Sequence, residues 1–338
     1  MPSTRALAPK DGRVWVGLGI LYGVWGSTYL AIAIAIDTLP PFLMAAARFC
    51  LAGLILLAWT VARRRDVLRR PSLTEIRDSA IVGALLLGGG MGLVSWGEQT
   101  VPSGITAVVV ALMPVWVAVF GRAFLGERLP RIAGVGIVVG FIGVAILAGP
   151  TAFGAPGALD AAGLLAILVA PIAWSIGSLY ASHRARLPDD PILATAAQML
   201  PGSVVLLGFG LLTGEPARFD PAAISLPSVG AFLYLTVVGS IVAFTTFGWM
   251  LRVAPLPLVA TYAYVNPVVA VILGALVLAE PIEPRTLLAG AIIVGAVALI
   301  VTARGRMTPA KGATGTTTTP PSPSEPRVAP APSQSASG

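Results

Sequence analysis

Between Val14 and Ala303 the chain alternates long uncharged runs with short polar joints. The runs are continuously apolar, without the every-second-residue alternation of a membrane barrel strand. Each is close to the ~20 residues that cross ~30 Å of hydrocarbon. They predict ten helices near residues 14–36, 41–62, 78–98, 103–125, 131–149, 161–182, 191–213, 228–250, 257–279 and 285–303. Proline and glycine mark the joints, among them Pro40, Pro41, Pro102, Pro130, Pro150, Pro191, Pro227 and Pro284. No small-residue cleavage site follows the first run, which reads as a retained helix and not a signal peptide. Beyond Arg304 the chain turns to Thr, Pro, Ser and Ala. That composition cannot bury a core and predicts a disordered tail over 304–338.

The pattern repeats. Residues 96–127 slide without gaps onto 249–280, so that Trp96 meets Trp249, Pro102 meets Pro255, Pro114 meets Pro267, Gly121 meets Gly274 and Glu127 meets Glu280. Trp25 with Trp174 and Pro41 with Pro191 agree at slightly smaller offsets. The expected organisation is an arm over 1–13, a five-helix unit over 14–149, a second over 161–303, and the tail. Five is odd, so the second unit enters the membrane the opposite way up. The fold class is an all-α polytopic membrane protein of two inverted five-helix repeats, an architecture that places a binding site near the midplane between them.

Composition agrees: 56% of the 338 residues are hydrophobic, 11% are charged, and mean hydropathy is +0.87. A soluble domain carries about a quarter charged residues. Charge sets the orientation. With the N-terminus inside, 19 of the 22 Lys and Arg face the cytoplasm, Arg218 and Arg285 lie outside, and Arg48 sits within a span. That bias predicts two cytoplasmic termini. It also explains the net charge of +7 by an anionic leaflet, with no nucleic-acid partner.

The stretches LYGVWGSTYL, VPSGITAVVVALMPVWVAVFGRAFLGERL and TYAYVNPVVAVILGALVLAEP closely resemble the EamA-type drug/metabolite transporters, in particular their inner-membrane exporters. The resemblance covers about residues 14–303, both halves. It implies ten helices, cytoplasmic termini, and export of small metabolites or drugs through a central cavity.

Read by themselves, several polar residues inside the apolar runs need an explanation. Tyr262 and Asn266 are four apart and share one helix face. Pro267 cannot donate to the carbonyl of Ala263, and in lipid such a group must be met by protein or by cavity water. The pair therefore lines a cavity or bonds a neighbouring helix. Trp25, Thr28 and Tyr29 fall at i, i+3 and i+4, and Trp174, Gly177 and Ser178 repeat the spacing. Both stripes suit a pocket for amphipathic solutes, although membrane Trp also anchors at interfaces. Trp116 is a weaker candidate for the same wall.

Arg48 lies about 10 Å into its span at 1.5 Å per residue, where an isolated charge costs roughly 2.5–3.5 kcal/mol. It holds a substrate carboxylate or gates a path, or it is an ion-pair strut or snorkels outward. Glu98 is the carboxylate at depth that would pair with it and the candidate for proton coupling, and Gln198 is the counterpart of Arg48 in the second half. Glu127 and Glu280 end their helices and are expected to accept N–H groups at the start of the next one. The glycine runs at 88–92, 134–143 and 290–298 are expected to bring helices close.

Chemistry is sparse otherwise. There is one cysteine, Cys50, and one histidine, His183 at a helix end beside Arg184. No HExxH, GxSxG or Walker motif is present, so no catalytic residue, metal or cofactor is expected. The expected partners are a small-molecule substrate and the bilayer, and one chain with both halves, as monomer or homodimer, can complete a cavity. The leading reading is a secondary carrier exporting small organic solutes, amino-acid-like or amphipathic, across the cytoplasmic membrane by alternating access, proton-coupled or facilitated. The alternatives are an intramembrane enzyme or lipid-handling protein, and a passive channel.

Overall fold

The computed structural model describes residues 12–63, 71–126, 130–152, 159–254, 256–259 and 261–307. Helix occupies each apolar run: α1 Gly12–Ile36, α2 Pro41–Arg63, α3 Leu73–Gly97, α4 Ser103–Leu125, α5 Arg131–Ala152, α6 Ala161–His183 and α7 Pro191–Leu212. Then come α8, built of Leu226–Tyr234, Leu235–Val242 and Ala243–Val253, α9, built of Leu256–Val259 and Tyr262–Leu278, and α10 Pro284–Met307. No strand occurs among the described residues. Among the described residues, eight helices are long and apolar enough to cross a membrane, and Arg131–Leu147 and Tyr262–Leu278 are apolar but shorter. The chain is thus a polytopic α-helical membrane protein. Helix α1 takes in the end of the predicted arm and α10 the start of the predicted tail. The rest of both, and Glu127, lie outside the described residues.

Helix starts follow from side chains that accept the free N–H groups. Ser72 and Glu75 form a reciprocal capping box at α3. Asp160 accepts from Gly163 at 2.7 Å to begin α6, and Asp190 accepts from Ile192 and Leu193 to begin α7. Helices α4 and α9 both end on a left-handed residue, Gly126 (φ 65°) and Ala279 (φ 53°). Gly tolerates that geometry, whereas Ala meets its own Cβ there.

Two pairings run along whole helices: α2 against α7, and α5 against α10. Helix α1 packs on α8 and α9, while α6 packs on α3 and α4. One apolar core joins α4, α5, α9 and α10 around Leu112, Val115, Ile293 and Ile300. Another joins α2, α3 and α7 around Phe49, Leu56, Met199 and Leu206. Two of the glycine runs act as expected: a Cβ on Gly136 would strike Ile300, one on Gly143 would strike Ile293, and one on Gly90 would strike Trp174. In the third run a Cβ on Gly290 would make only ordinary contact, and one on Gly295 would meet nothing within 4 Å. Large apolar side chains such as Leu54, Ile55, Val138, Ile142, Leu165 and Ile272 face outward. That surface needs lipid to cover it.

Polar groups tie segments distant in sequence. Glu215 is buried and accepts from the backbone of Phe42 (3.0 Å) and Leu43 (2.8 Å) at the start of α2. Glu280 does the same for Ser103 (2.8 Å) and Gly104 (3.1 Å) at the start of α4. The expectation for Glu280 needs correction on this point, since it caps a helix in the other half of the chain and not the next helix. At another junction, buried Asp78 in α3 accepts from the Tyr180 hydroxyl and the Arg186 amide, both at 2.8 Å.

In α3 and α8 the ladder widens to i→i+5 hydrogen bonding over Ala84–Gly92 and Leu235–Val242. Such π-helical turns are uncommon and often mark functional positions. Helix α4 breaks at Ala111 and Leu112, just before Pro114, which has no N–H for the carbonyl four residues back.

Two substitutions check these ends. Glu280→Ala strands two N–H groups at the start of α4 and is expected to cost about 2–3 kcal/mol. Ala279→Gly relieves the left-handed Ala and is expected to gain about 1 kcal/mol. Melting of the detergent-purified protein should move in opposite directions for the two, and a shift of the same sign would refute the assignment.

Candidate functional site

A cavity of about 90 Å³ lies inside the bundle, walled by residues of α1, α2, α3, α4, α6, α8 and α9. Helix α1 contributes Trp25, Thr28 and Tyr29, α2 contributes Arg48, α6 contributes Trp174 and Pro171, and α9 contributes Tyr262 and Asn266. Seven of the sequence-derived site residues therefore share one hollow: Trp25, Thr28, Tyr29, Arg48, Trp174, Tyr262 and Asn266.

Three others do not reach it. Gln198 sits on α7, which contributes nothing to the wall. Its backbone is pressed against α3, where a Cβ on Gly83 would collide with its carbonyl oxygen. Ser178 lies about 6 Å further along α6 than Trp174 at 1.5 Å per residue, past the end of the cavity. Glu98, at the end of α3, is buried near the wall but is not part of it. Trp116 is also elsewhere, against Phe120 and Phe141 (centroids 5.7 and 5.4 Å).

The expected Arg48–Glu98 pair does not form. Arg48 is 1% exposed, and its Nε donates to Ser240 Oγ at 2.8 Å while its guanidinium lies 4.7 Å from the Phe49 ring centre. The physical reason lies in α8. Its π-helical segment carries Ser240 and Gly239 up to the guanidinium, and a Cβ on Gly239 would come within 3.1 Å of Nη2. Glu98 keeps both carboxyl oxygens buried with no hydrogen-bond partner among the described residues. Among the described residues it is the one buried carboxylate in that condition, since Glu75, Asp78, Asp190 and Glu215 are all engaged.

Much of the remaining wall is aliphatic, with Ile32, Met91, Val94 and Val110, and an aromatic cluster forms one part of it, backed by Phe247. Trp25 meets Tyr262, Phe247 and Phe244 with ring centres 4.8, 5.0 and 5.8 Å apart, and Trp174 lies 6.4 Å from Phe244. Sequence reasoning missed Phe244 and Phe247. Their i, i+3 spacing in AFTTFGWM was the available signal. Tyr22 and Thr261 share a hydrogen bond beside this cluster. The backbone adds polarity, because Pro114 and Pro267 leave the carbonyls of Val110 and Ala263 without their helical donors. Both residues lie on the wall.

Several wall groups have no protein partner. Asn266 is 7% exposed and its Oδ1 is buried without a donor. Neither the Tyr29 nor the Tyr262 hydroxyl hydrogen-bonds a described residue. No group of three His, Cys, Asp or Glu among the described residues converges as metal ligands would. This arrangement offers an apolar, aromatic enclosure with a few unsatisfied polar contacts, the usual form of a small-molecule site.

Helices that are apolar toward the outside and enclose such a hollow define a multi-pass membrane protein built around a solute-sized site. The sequence profile of the EamA-like transporter family matches residues 13–149 and 161–302, and the chain belongs to that family. Among relatives, it is 38% identical over 301 residues to the uncharacterized inner membrane transporter YedA of Escherichia coli K12, covering 88% of this chain and 92% of that one. It is 26% identical to the uncharacterized transporter YvbV of Bacillus subtilis (85% and 90% covered) and 26% identical to a WAT1-related chloroplastic protein of Arabidopsis thaliana (85% and 69%). A protein of known crystal structure, 22% identical, superimposes with a TM-score of 0.60 over 88% of this chain and all of its own, so the two share a fold.

Trp25 holds the aromatic wall together through three ring contacts. Trp25→Ala is expected to cost about 2–4 kcal/mol of stability. Thermal melting checks it; an unchanged melting temperature would show that the cluster is loose.

Proposed function

We propose that this protein is a secondary transporter that exports small organic solutes across the cytoplasmic membrane by alternating access around the central cavity. One observation carries the reading: Arg48, Asn266, Tyr29 and Tyr262 converge, without full protein partners, on one hollow walled by both halves of the chain. In hydrocarbon, polar groups persist unpartnered only where water or a ligand reaches them. The cavity, at about 90 Å³, has room for several waters or a small solute.

The proposed architecture is ten spanning helices in two inverted repeats, 14–149 and 161–303, with both termini cytoplasmic. Support comes from the packing. Exchanging the first five helices for the second five maps the contacts onto themselves: α1 on α9 becomes α6 on α4, α1 on α8 becomes α6 on α3, and α2 on α7 and α5 on α10 are self-paired. The two π-helical segments, Ala84–Gly92 and Leu235–Val242, exchange as well. So do the left-handed ends Gly126 and Ala279. The inner membrane is supported by the name of the Escherichia coli relative and by the excess of basic residues on one side. The family's character as transporters argues against an enzyme.

Glu98 is the proposed site of a coupling proton, because it alone among buried described carboxylates lacks a partner. Facilitated diffusion is the second reading, favoured by the absence of any carboxylate on the cavity wall. Proteoliposomes loaded with a radiolabelled metabolite panel decide between them, because an imposed proton gradient stimulates flux in a coupled carrier and leaves facilitated diffusion of a neutral solute unchanged. The transporter reading predicts saturable, counterflow-stimulated flux, and conductance without saturation would contradict it. Glu98→Gln is expected to abolish stimulation by a proton gradient while sparing counterflow. Intact stimulation in that variant would remove Glu98 from the mechanism.

A further inference from the structure

The cavity wall carries one formal charge. Of the residues that line it, Arg48 alone is ionic, and no described carboxylate lies within ion-pairing distance of it. Its single hydrogen bond to a described residue uses Nε, on Ser240. A guanidinium has five N–H donors. The four on its terminal nitrogens have no acceptor among the described residues, Nη2 is packed against Gly239, and the part of the group that borders the cavity is left to what fills it. A buried, uncompensated cation is costly, and water in a small apolar-walled hollow compensates it poorly. The wall also has an unmet acceptor, since Asn266 Oδ1 is buried without a donor. The same wall carries the rings of Trp25, Trp174 and Phe244.

Resting on the reading of this cavity as the solute site, we infer that its preferred solutes are organic monoanions: one carboxylate for Arg48, a neutral hydroxyl or amide N–H for Asn266, and an apolar or aromatic body. Arginine binds a carboxylate through two parallel N–H donors. The pairing neutralises the cavity and removes the cost of the lone cation. A zwitterion brings an ammonium that finds no carboxylate on the wall, and the site stays positive. A cationic solute adds a second positive charge to the first. Its cation–π attraction to Trp25 or Trp174 is small against that repulsion. The inference narrows the solute class beyond amphipathic or amino-acid-like molecules and excludes lipophilic cations.

Three probes with one carbon skeleton, 3-phenyllactate, 3-phenylpropionate and phenylalanine, and the decarboxylated amine phenethylamine test it. Equilibrium binding to the purified full chain in detergent should rank phenyllactate first. Phenylpropionate, which lacks the donor, and phenylalanine, which adds the ammonium, should each bind roughly ten-fold more weakly, a loss of about 1.4 kcal/mol. Phenethylamine should not bind measurably. Arg48→Gln should weaken phenyllactate by at least fifty-fold, while Arg48→Lys retains the rank order. Should Arg48→Gln not fold, Asn266→Ala is decisive: it should erase the advantage of phenyllactate over phenylpropionate and leave phenylpropionate unchanged. Equal or tighter binding of phenylalanine or phenethylamine, or no binding of any probe, overturns the inference. Saturable flux of other solutes together with that failure leaves the transporter reading standing. The expected rank order without any flux would do the reverse.

Discussion

Hydrocarbon supplies no hydrogen bonds, and that constraint sorts every polar group in this molecule. Those needed for structure are paired at the helix ends. Glu215 and Glu280 hold the amide groups that open α2 and α4, and Asp78 holds Tyr180 and the Arg186 amide. Each of these bonds joins the first half of the chain to the second, so the carboxylates complete helices and fasten the halves in the same contact. The polar groups left over fall into two sets: Ser79, Glu98, Ser103 and Thr286 are buried without a described partner away from the cavity wall, and the other set converges. Arg48, Asn266, Tyr29, Tyr262 and the residues whose carbonyls Pro114 and Pro267 strip of donors gather on one cavity. Their unmet bonding capacity is the basis of its proposed function.

Much of this was legible in the sequence because the helix period is strict. Trp25, Thr28 and Tyr29 fall on one stripe by spacing, as do Tyr262 and Asn266, and all five reach the wall. Depth alone singled out Arg48. What could not be read was which distant group meets which. Arg48 was matched with Glu98 because charge seeks charge, but its contact is the neutral Ser240, 192 residues away on α8. A serine among valines and isoleucines gives no sign of its position until the π-helical segment turns it inward. Gln198 failed for a related reason. Repeat equivalence transfers a residue's place in its own helix but not the side from which a partner covers it, and α7 lies outside the ring of wall helices.

The wall is built where the backbone departs from regular α-helix. The π-helical stretch of α3 presents Gly90 and Met91 to the cavity, that of α8 brings Ser240 to Arg48, and α4 breaks beside Val110 and Ala111. Irregular backbone in a membrane is tolerated where it borders a water-filled space. These irregular segments are where the bundle would bend if its two ends open in turn. The α2–α7 and α5–α10 pairs, packed along their lengths, would then serve as the stiffer parts against which the others move.

Access to Asn266 from each side of the membrane tests the central claim most directly. A single cysteine at that position, in a chain whose only native cysteine, Cys50, is replaced by serine, can be labelled with a membrane-impermeant thiol reagent in right-side-out and in inverted vesicles. Alternating access around this cavity predicts labelling from both faces, slowed by a solute that occupies the site. Labelling from one face only, or from neither, would contradict it.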